Sequence, residues 1–337
     1  MGILYPDKPF KTYQEQIDIL ENRYGLVINN KNFAETALRS LTYYDLVNGY
    51  KNCFMTNDKF NPGTTIEQLY LFYNIDKGFQ SILFKYSTVV ENSFKSKLAY
   101  IISANFGVWE DEYLDANNYY KTNNKVKFSE VKAACLSIYE NTDVIPQPTK
   151  HYLEKHNHIP AWILFKNLSF SNSINFFQLL RQPEKRALSD LLITSHKVSS
   201  GYKIAYLLSA LNIIRSYRNK IAHNLKFVTY KSDKHWINPK TTTRLVPKEI
   251  VEWHDFNKYD RGKADIYAYI ICLWCLIDDY YLRQFFCSEI HDYFYAIENS
   301  TNPLYITADK EYKRITNIPE NITERMDKYL KKSIAHK

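Results

Sequence analysis

Arg218, Asn219 and His223 lie in the stretch Leu207 to Asn224, LLSALNIIRSYRNKIAHN. A guanidinium beside a group that titrates near neutrality suits phosphodiester chemistry. The Arg can hold a phosphate through its planar fork, and the imidazole can move a proton. Leu207, Leu208, Leu211, Ile214, Ile221 and Leu225 recur at three- and four-residue steps, so the stretch predicts one helix. On that helix Asn219 and His223 share nearly one face. Arg218 and His223 stand about 140° apart around the axis, so one helix makes an incomplete site. The spacing alone also arises by chance in a chain with this many Arg and His residues, and a solvated helix face fits it equally well.

Other reactive side chains carry less. His151, His156 and His158 form a patch without the Cys or carboxylate partners and helical spacing of a metal site, so neither a metal nor another cofactor is expected. Cys272 and Cys275 resemble a redox pair on paper. They sit inside the apolar run Ile266 to Ile277, which predicts core packing instead. The 5 Cys are scattered, and the opening MGILYPDKPF has neither a basic start nor an apolar run nor a Ser or Thr for myristoylation. A reduced, cytoplasmic protein without membrane spans is the expectation. Net charge is +8, which permits a polyanionic partner without requiring one. With only 8 Gly, the chain offers no Gly-rich phosphate loop.

The elements that must position these groups read as helices. Thr12 to Glu15 is a capping box that opens a helix to about Arg23, stopped by Gly25. A second helix starts near Asn32, and Tyr43 to Tyr50 suits a short third helix or a corner. Pro62-Gly63 is a turn, and Thr64 to Glu67 opens a long helix to about Ala104 that Gly78 could bend. Glu91, Lys95 and Lys97 fall at its polar positions, where a lone Glu is usually solvated or paired with a Lys. Val131 to Tyr139 is a helix candidate. Pro160 opens another helix, and Ser169 to Asn175 is a polar elbow before the helix resumes at Phe176. Val228-Thr229-Tyr230 and Trp236-Ile237 allow a small hairpin near 226–240. A long C-terminal helix spans about Lys263 to Glu298, and a basic helix follows from Lys310 with Lys313, Arg314, Lys328, Lys331 and Lys332. The fold class is therefore all-α, divided into an N-terminal helical module at 1–60, a helical core at 61–230 and an extension at 231–337.

Three separated stretches then match one picture. Lys8 to Gln16 together with Tyr43 to Tyr50 resembles the N-terminal signature of the Abi-like (AbiD/AbiF) bacterial abortive-infection proteins. Pro160-Ala161-Trp162 followed by Leu168-Ser169-Phe170 resembles their central motif. Arg218 to Asn224, RNKIAHN, is similar to the Arg-x4-6-His signature of HEPN ribonucleases. Where the family tends to carry an acidic residue and a Gly in its central region, this chain has Lys166 and Ser171.

That resemblance implies an all-α, HEPN-like bundle and an anti-phage protein that cleaves RNA without a metal. Two Arg/His helices would meet in a homodimer to complete the pocket. His223 would act as general base or acid, Arg218 would stabilise the scissile phosphate, and Asn219 would orient either of them. Glu91 falls where the family often has an acidic residue supporting the site. Lys220, Lys226, Lys313, Arg314, Lys331 and Lys332 are candidate RNA contacts. A small noncoding RNA is an implied partner. A HEPN scaffold that binds a structured noncoding RNA without cutting it is the alternative.

Overall fold

Helix starts follow the capping residues. In the computed structural model, which describes residues 8–140 and 144–335, Thr12 accepts from the Glu15 amide while Glu15 answers the Thr12 amide, and the helix Tyr13–Asp18 begins there. Asn30 caps Lys31–Tyr43, and Thr65 accepts from the Gln68 amide at 3.1 Å to open Ile66–Phe106. The described residues form seventeen α-helices and two antiparallel pairs of two-residue strands, an all-α fold. The strand pairs are Met55–Thr56 with Lys59–Phe60 and Thr122–Asn123 with Val126–Lys127. Asn57 and Asp58, both at positive φ, make the tight turn of the first. The opening residues 1–7, on which the expectation about leader and myristoylation signals rests, lie outside the described residues.

Two compact units emerge. The first holds the chain up to Gln80 with Asp292–Glu320; the second holds Ser81–His291 with the segment from Asn321 onward. In the first, the buried carboxylate of Asp76 accepts from the Tyr50 hydroxyl (2.8 Å), the Tyr312 hydroxyl (3.1 Å) and the Gln80 amide (2.7 Å). The long helix runs unbroken through Gly78. The Tyr293 hydroxyl lies 2.6 Å from where a Cβ would stand and donates to the Ile75 carbonyl, so the glycine is a seat for that ring.

In the second unit, Ile266–Leu276 is buried along its whole length. Cys272 and Cys275 sit in this helix as core residues, and burial pushes the Cys275 thiol up to about 11. The last helix, Ile322–Ala335, is clamped by Arg325. Its guanidinium binds the buried Asp255 carboxylate through two nitrogens and also donates to the Ile250 carbonyl.

Several sequence expectations need correction. The long C-terminal helix is two, Ile266–Leu276 and Tyr280–Glu298. Asp279 opens the second by accepting from the Leu282 amide at 2.7 Å. The basic tail is also two helices, Pro303–Thr316 and Ile322–Ala335, separated by Asn317 in the left-handed region. No strand forms at 226–240 among the described residues; turns and coil run to Asn238, which caps the helix Pro239–Leu245. The polar elbow at 169–175 is helical, because Ser169 caps the continuous helix Phe170–Leu179. The helix expected to start near Val131 begins at Phe128 and ends at Leu136.

Candidate functional site

The helix that carries Arg218 runs Ser200–Ala222, longer at its start and shorter at its end than the apolar periodicity predicts. Its end is set by backbone geometry. Asn224 takes φ 49°, the Leu225 amide reaches the Lys220 carbonyl at 2.8 Å, and the Asn224 amide reaches the Ile221 carbonyl at 3.1 Å. This is a Schellman stop with Asn in the place glycine often takes. His223 is the C-cap residue, so its imidazole stands exposed at the helix end rather than on a helix face.

Tyr217 fixes the helix's rotation. It is fully buried, stacks on Tyr269 at 4.9 Å and 8°, and donates to the carbonyls of Tyr230 (2.8 Å) and Ala264 (3.0 Å). The Tyr269 hydroxyl in turn bonds Ser87 and the Leu83 carbonyl on the helix Ile66–Phe106. Through these rings the two helices hold Arg218 opposite Glu91.

The Glu91 carboxylate is buried and faces two cations. Its Oε1 meets Lys95 Nζ at 2.7 Å and its Oε2 meets Arg218 Nη2 at 3.4 Å. Arg218 also donates to Asn219 Oδ1 at 3.2 Å and lies 5.8 Å over the Phe84 ring. About 30% of the Arg218 side chain stays exposed. Two cations share one carboxylate, so the cluster keeps positive charge for an incoming phosphate. Such a site could orient a phosphodiester on the guanidinium with an imidazole nearby along the same helix.

The structure therefore brings Arg218, Asn219 and Glu91 together and leaves His223 at the adjoining helix end. Lys220 lies 4.5 Å over the Tyr230 ring, and Lys226 is exposed just past the stop. The remaining candidates fall elsewhere. Lys313 is buried, with its ammonium bound to Glu298 (2.5 Å) and Asp309 (2.7 Å), so it presents no charge to a phosphate. Arg314 pairs with Glu311, Lys331 with Asp327 and Lys332 with Glu249, each near the surface. Lys313 and Arg314 belong to the first unit, apart from the unit that carries Arg218.

The Glu91–Lys95 pair is the i, i+4 partnership expected of a Glu beside a Lys on this helix. Sequence reasoning missed one feature of this neighbourhood. Arg215, one turn before Arg218, is half-buried, and among the described residues it bonds neutral partners only, Ser171 and Asn212, both at 3.3 Å. Burial and the Arg215 charge hold His235 below its ordinary range. Of the patch histidines, His158 donates through Nδ1 to the His156 carbonyl at 2.9 Å and packs on Trp109. Among the described residues no group of His, Cys, Asp or Glu is placed to hold a metal. No helix there is long and apolar enough to cross a membrane.

An all-helical protein whose central helix pairs a half-exposed Arg with a buried carboxylate is the class that fold and site define. The chain belongs to the Abi-like protein family, whose model matches residues 36–228, more than half its length, and it is thereby an abortive-infection protein. The matched span holds Glu91, the central motif and the Arg218–His223 segment; Lys8 to Gln16 lies outside it. Comparison with curated proteins and with solved structures gave no match.

Proposed function

We propose that this abortive-infection protein is a metal-independent endoribonuclease of the HEPN type and of the AbiD/AbiF subfamily, working in the cytoplasm as a homodimer. The observation that carries the reading is the pairing of Arg218 with Glu91 on buried supports while the guanidinium stays partly open. A fixed Arg of this kind binds a scissile phosphate and stabilises the charge that builds on it, worth ~10²–10³ in rate. His223 takes the proton from the ribose 2′-hydroxyl or gives one to the leaving 5′-oxygen, worth ~10²–10⁴. The second subunit's copy of the helix supplies the other proton-transfer role. Asn219 braces the guanidinium by its 3.2 Å hydrogen bond. The products are a 2′,3′-cyclic phosphate and a 5′-hydroxyl.

The test is cleavage of total RNA by the wild-type protein beside Arg218→Ala and His223→Ala. Loss of cleavage in both variants, with cyclic-phosphate ends in the wild type, is the expected result. Efficient cutting of an all-deoxy strand, which has no 2′-hydroxyl, would sink the mechanism. A second reading draws on the same ion pair. Because Glu91 already engages Arg218, a HEPN scaffold that holds a small structured noncoding RNA without cutting it is also consistent. In that case both variants bind RNA as the wild type does and no preparation cleaves.

A further inference from the structure

A second cationic groove lies in the first unit. Arg23, Lys51 and Lys59 line a cavity of about 300 Å³ with Tyr24, Tyr43 and Asn57. Asp58, at the tip of the strand turn, is the carboxylate in that lining. An adjoining space of about 670 Å³ shares Arg23, Tyr24, Tyr43, Asn48 and Lys51, and continues past Lys8 and Lys11. The separated segments 8–16 and 43–50 thus wall one groove.

Most of its charge is uncompensated. Lys11, at its far end, pairs with Glu15, and around the groove Lys31 pairs with Glu21 and Arg39 with Glu35. No carboxylate among the described residues pairs with Arg23, Lys51 or Lys59. Like charges converging on one concavity repel each other until an anion enters, and they focus potential toward it. The two spaces together exceed what one phosphate ion fills, and the cations continue along both. That spread fits a repeating anionic backbone better than a single ion. Burial, helped by Tyr24, pushes the Tyr43 phenol above its ordinary range, so its hydroxyl remains a donor beside these cations.

The geometry points to this groove as a binding track for the phosphodiester backbone of single-stranded RNA, distinct from the Arg218 cluster. The inference rests on the ribonuclease reading only for the choice of RNA as the polyanion. Arg23 and the two lysines contact successive phosphates, and the Tyr24 and Tyr43 rings and the Asn48 amide line the path.

The experiment uses the full-length protein carrying Arg218→Ala and His223→Ala, so that RNA is not consumed, and a fluorescein-labelled single-stranded RNA. Affinity is measured across a salt series with and without Lys51→Glu and Lys59→Glu. Both lysines are exposed, which leaves the fold intact, and Lys51→Gln with Lys59→Gln provides a charge-neutral check. The expected result is at least about a tenfold loss of affinity and a salt slope shallower by about 1.4, for two lost phosphate contacts on a single strand. Unchanged affinity and slope in both double variants would overturn the groove. So would displacement of RNA by polyglutamate at equal charge, which would assign the groove to an acidic peptide. Cleavage by the wild-type protein is scored separately. A protein that never cuts but loses RNA through Lys51→Glu and Lys59→Glu keeps the groove and loses the nuclease. One that cuts and binds as before in those variants keeps the nuclease and loses the groove.

Discussion

At the scale of single residues, the decisive arrangement is Glu91 between Lys95 and Arg218. A carboxylate this buried is tolerable because each oxygen has a cation. Glu91→Ala should lower stability by ~3–5 kcal/mol, since it strands Lys95 in a buried site. Thermal unfolding checks this, and Glu91→Gln combined with Lys95→Met should recover most of the loss. If the single change leaves the unfolding temperature alone, the pair does not hold this part of the fold. Asp255 gives a second residue-scale expectation. Burial pulls its carboxyl up, but hydrogen bonds and charge from Arg325, the Glu252 amide and Arg261 outweigh that and hold it below the ordinary carboxylate range. A depressed folded value stabilises the fold above the unfolded value of ~3.9, and the contribution is lost as pH falls through the folded value. Acid unfolding of Asp255→Asn should accordingly show a shallower fall in this range than the wild type. Arg325→Ala should cost ~3–5 kcal/mol at neutral pH, because it leaves that carboxylate buried and short of a partner.

At the scale of elements, the end of the Ser200–Ala222 helix decides where His223 stands. The left-handed backbone at Asn224 turns the chain immediately after the imidazole. Asn224→Gly should keep both stability and cleavage. Asn224→Val should lose ~1–2 kcal/mol from the strained backbone and also lower kcat, because the helix end must shift to relieve it. Denaturant melts and initial cleavage rates separate the two effects. Equal kcat in the Val variant would mean that His223 does not depend on this stop. The same logic of caps explains the divided C-terminal helix. Asp279 accepts from the Leu282 amide, and Arg283 returns to the Ile277 carbonyl through two nitrogens. The apolar pattern runs through the break, and so periodicity cannot reveal it.

At the scale of the whole molecule, the proposed pocket needs two chains. A homodimer that draws one His223 from each subunit should lose activity faster than linearly when His223→Ala protein is mixed in and allowed to exchange. A curve close to the square of the wild-type fraction is expected. A straight line in that fraction would mean that each chain cuts alone.

Much of this was legible in the sequence, because it depends on neighbours along the chain. Helix periodicity pointed to the all-α class, and the Thr12–Glu15 capping box fixed where the first helix begins. The Arg218–His223 spacing and the apolar burial of Cys272 and Cys275 are likewise local. What depends on partners far along the chain was not legible. Lys313 reads as a tail charge yet is buried against Glu298, 15 residues earlier, as well as against Asp309 one turn before it. Arg23, Lys51 and Lys59 look like scattered surface charges until folding lines them along one groove. The sequence by itself determined which residues could bind a phosphate and move a proton. The tertiary structure alone decided which cations are spent on internal carboxylates and which stay open, because charge pairing follows distance in space rather than separation along the chain.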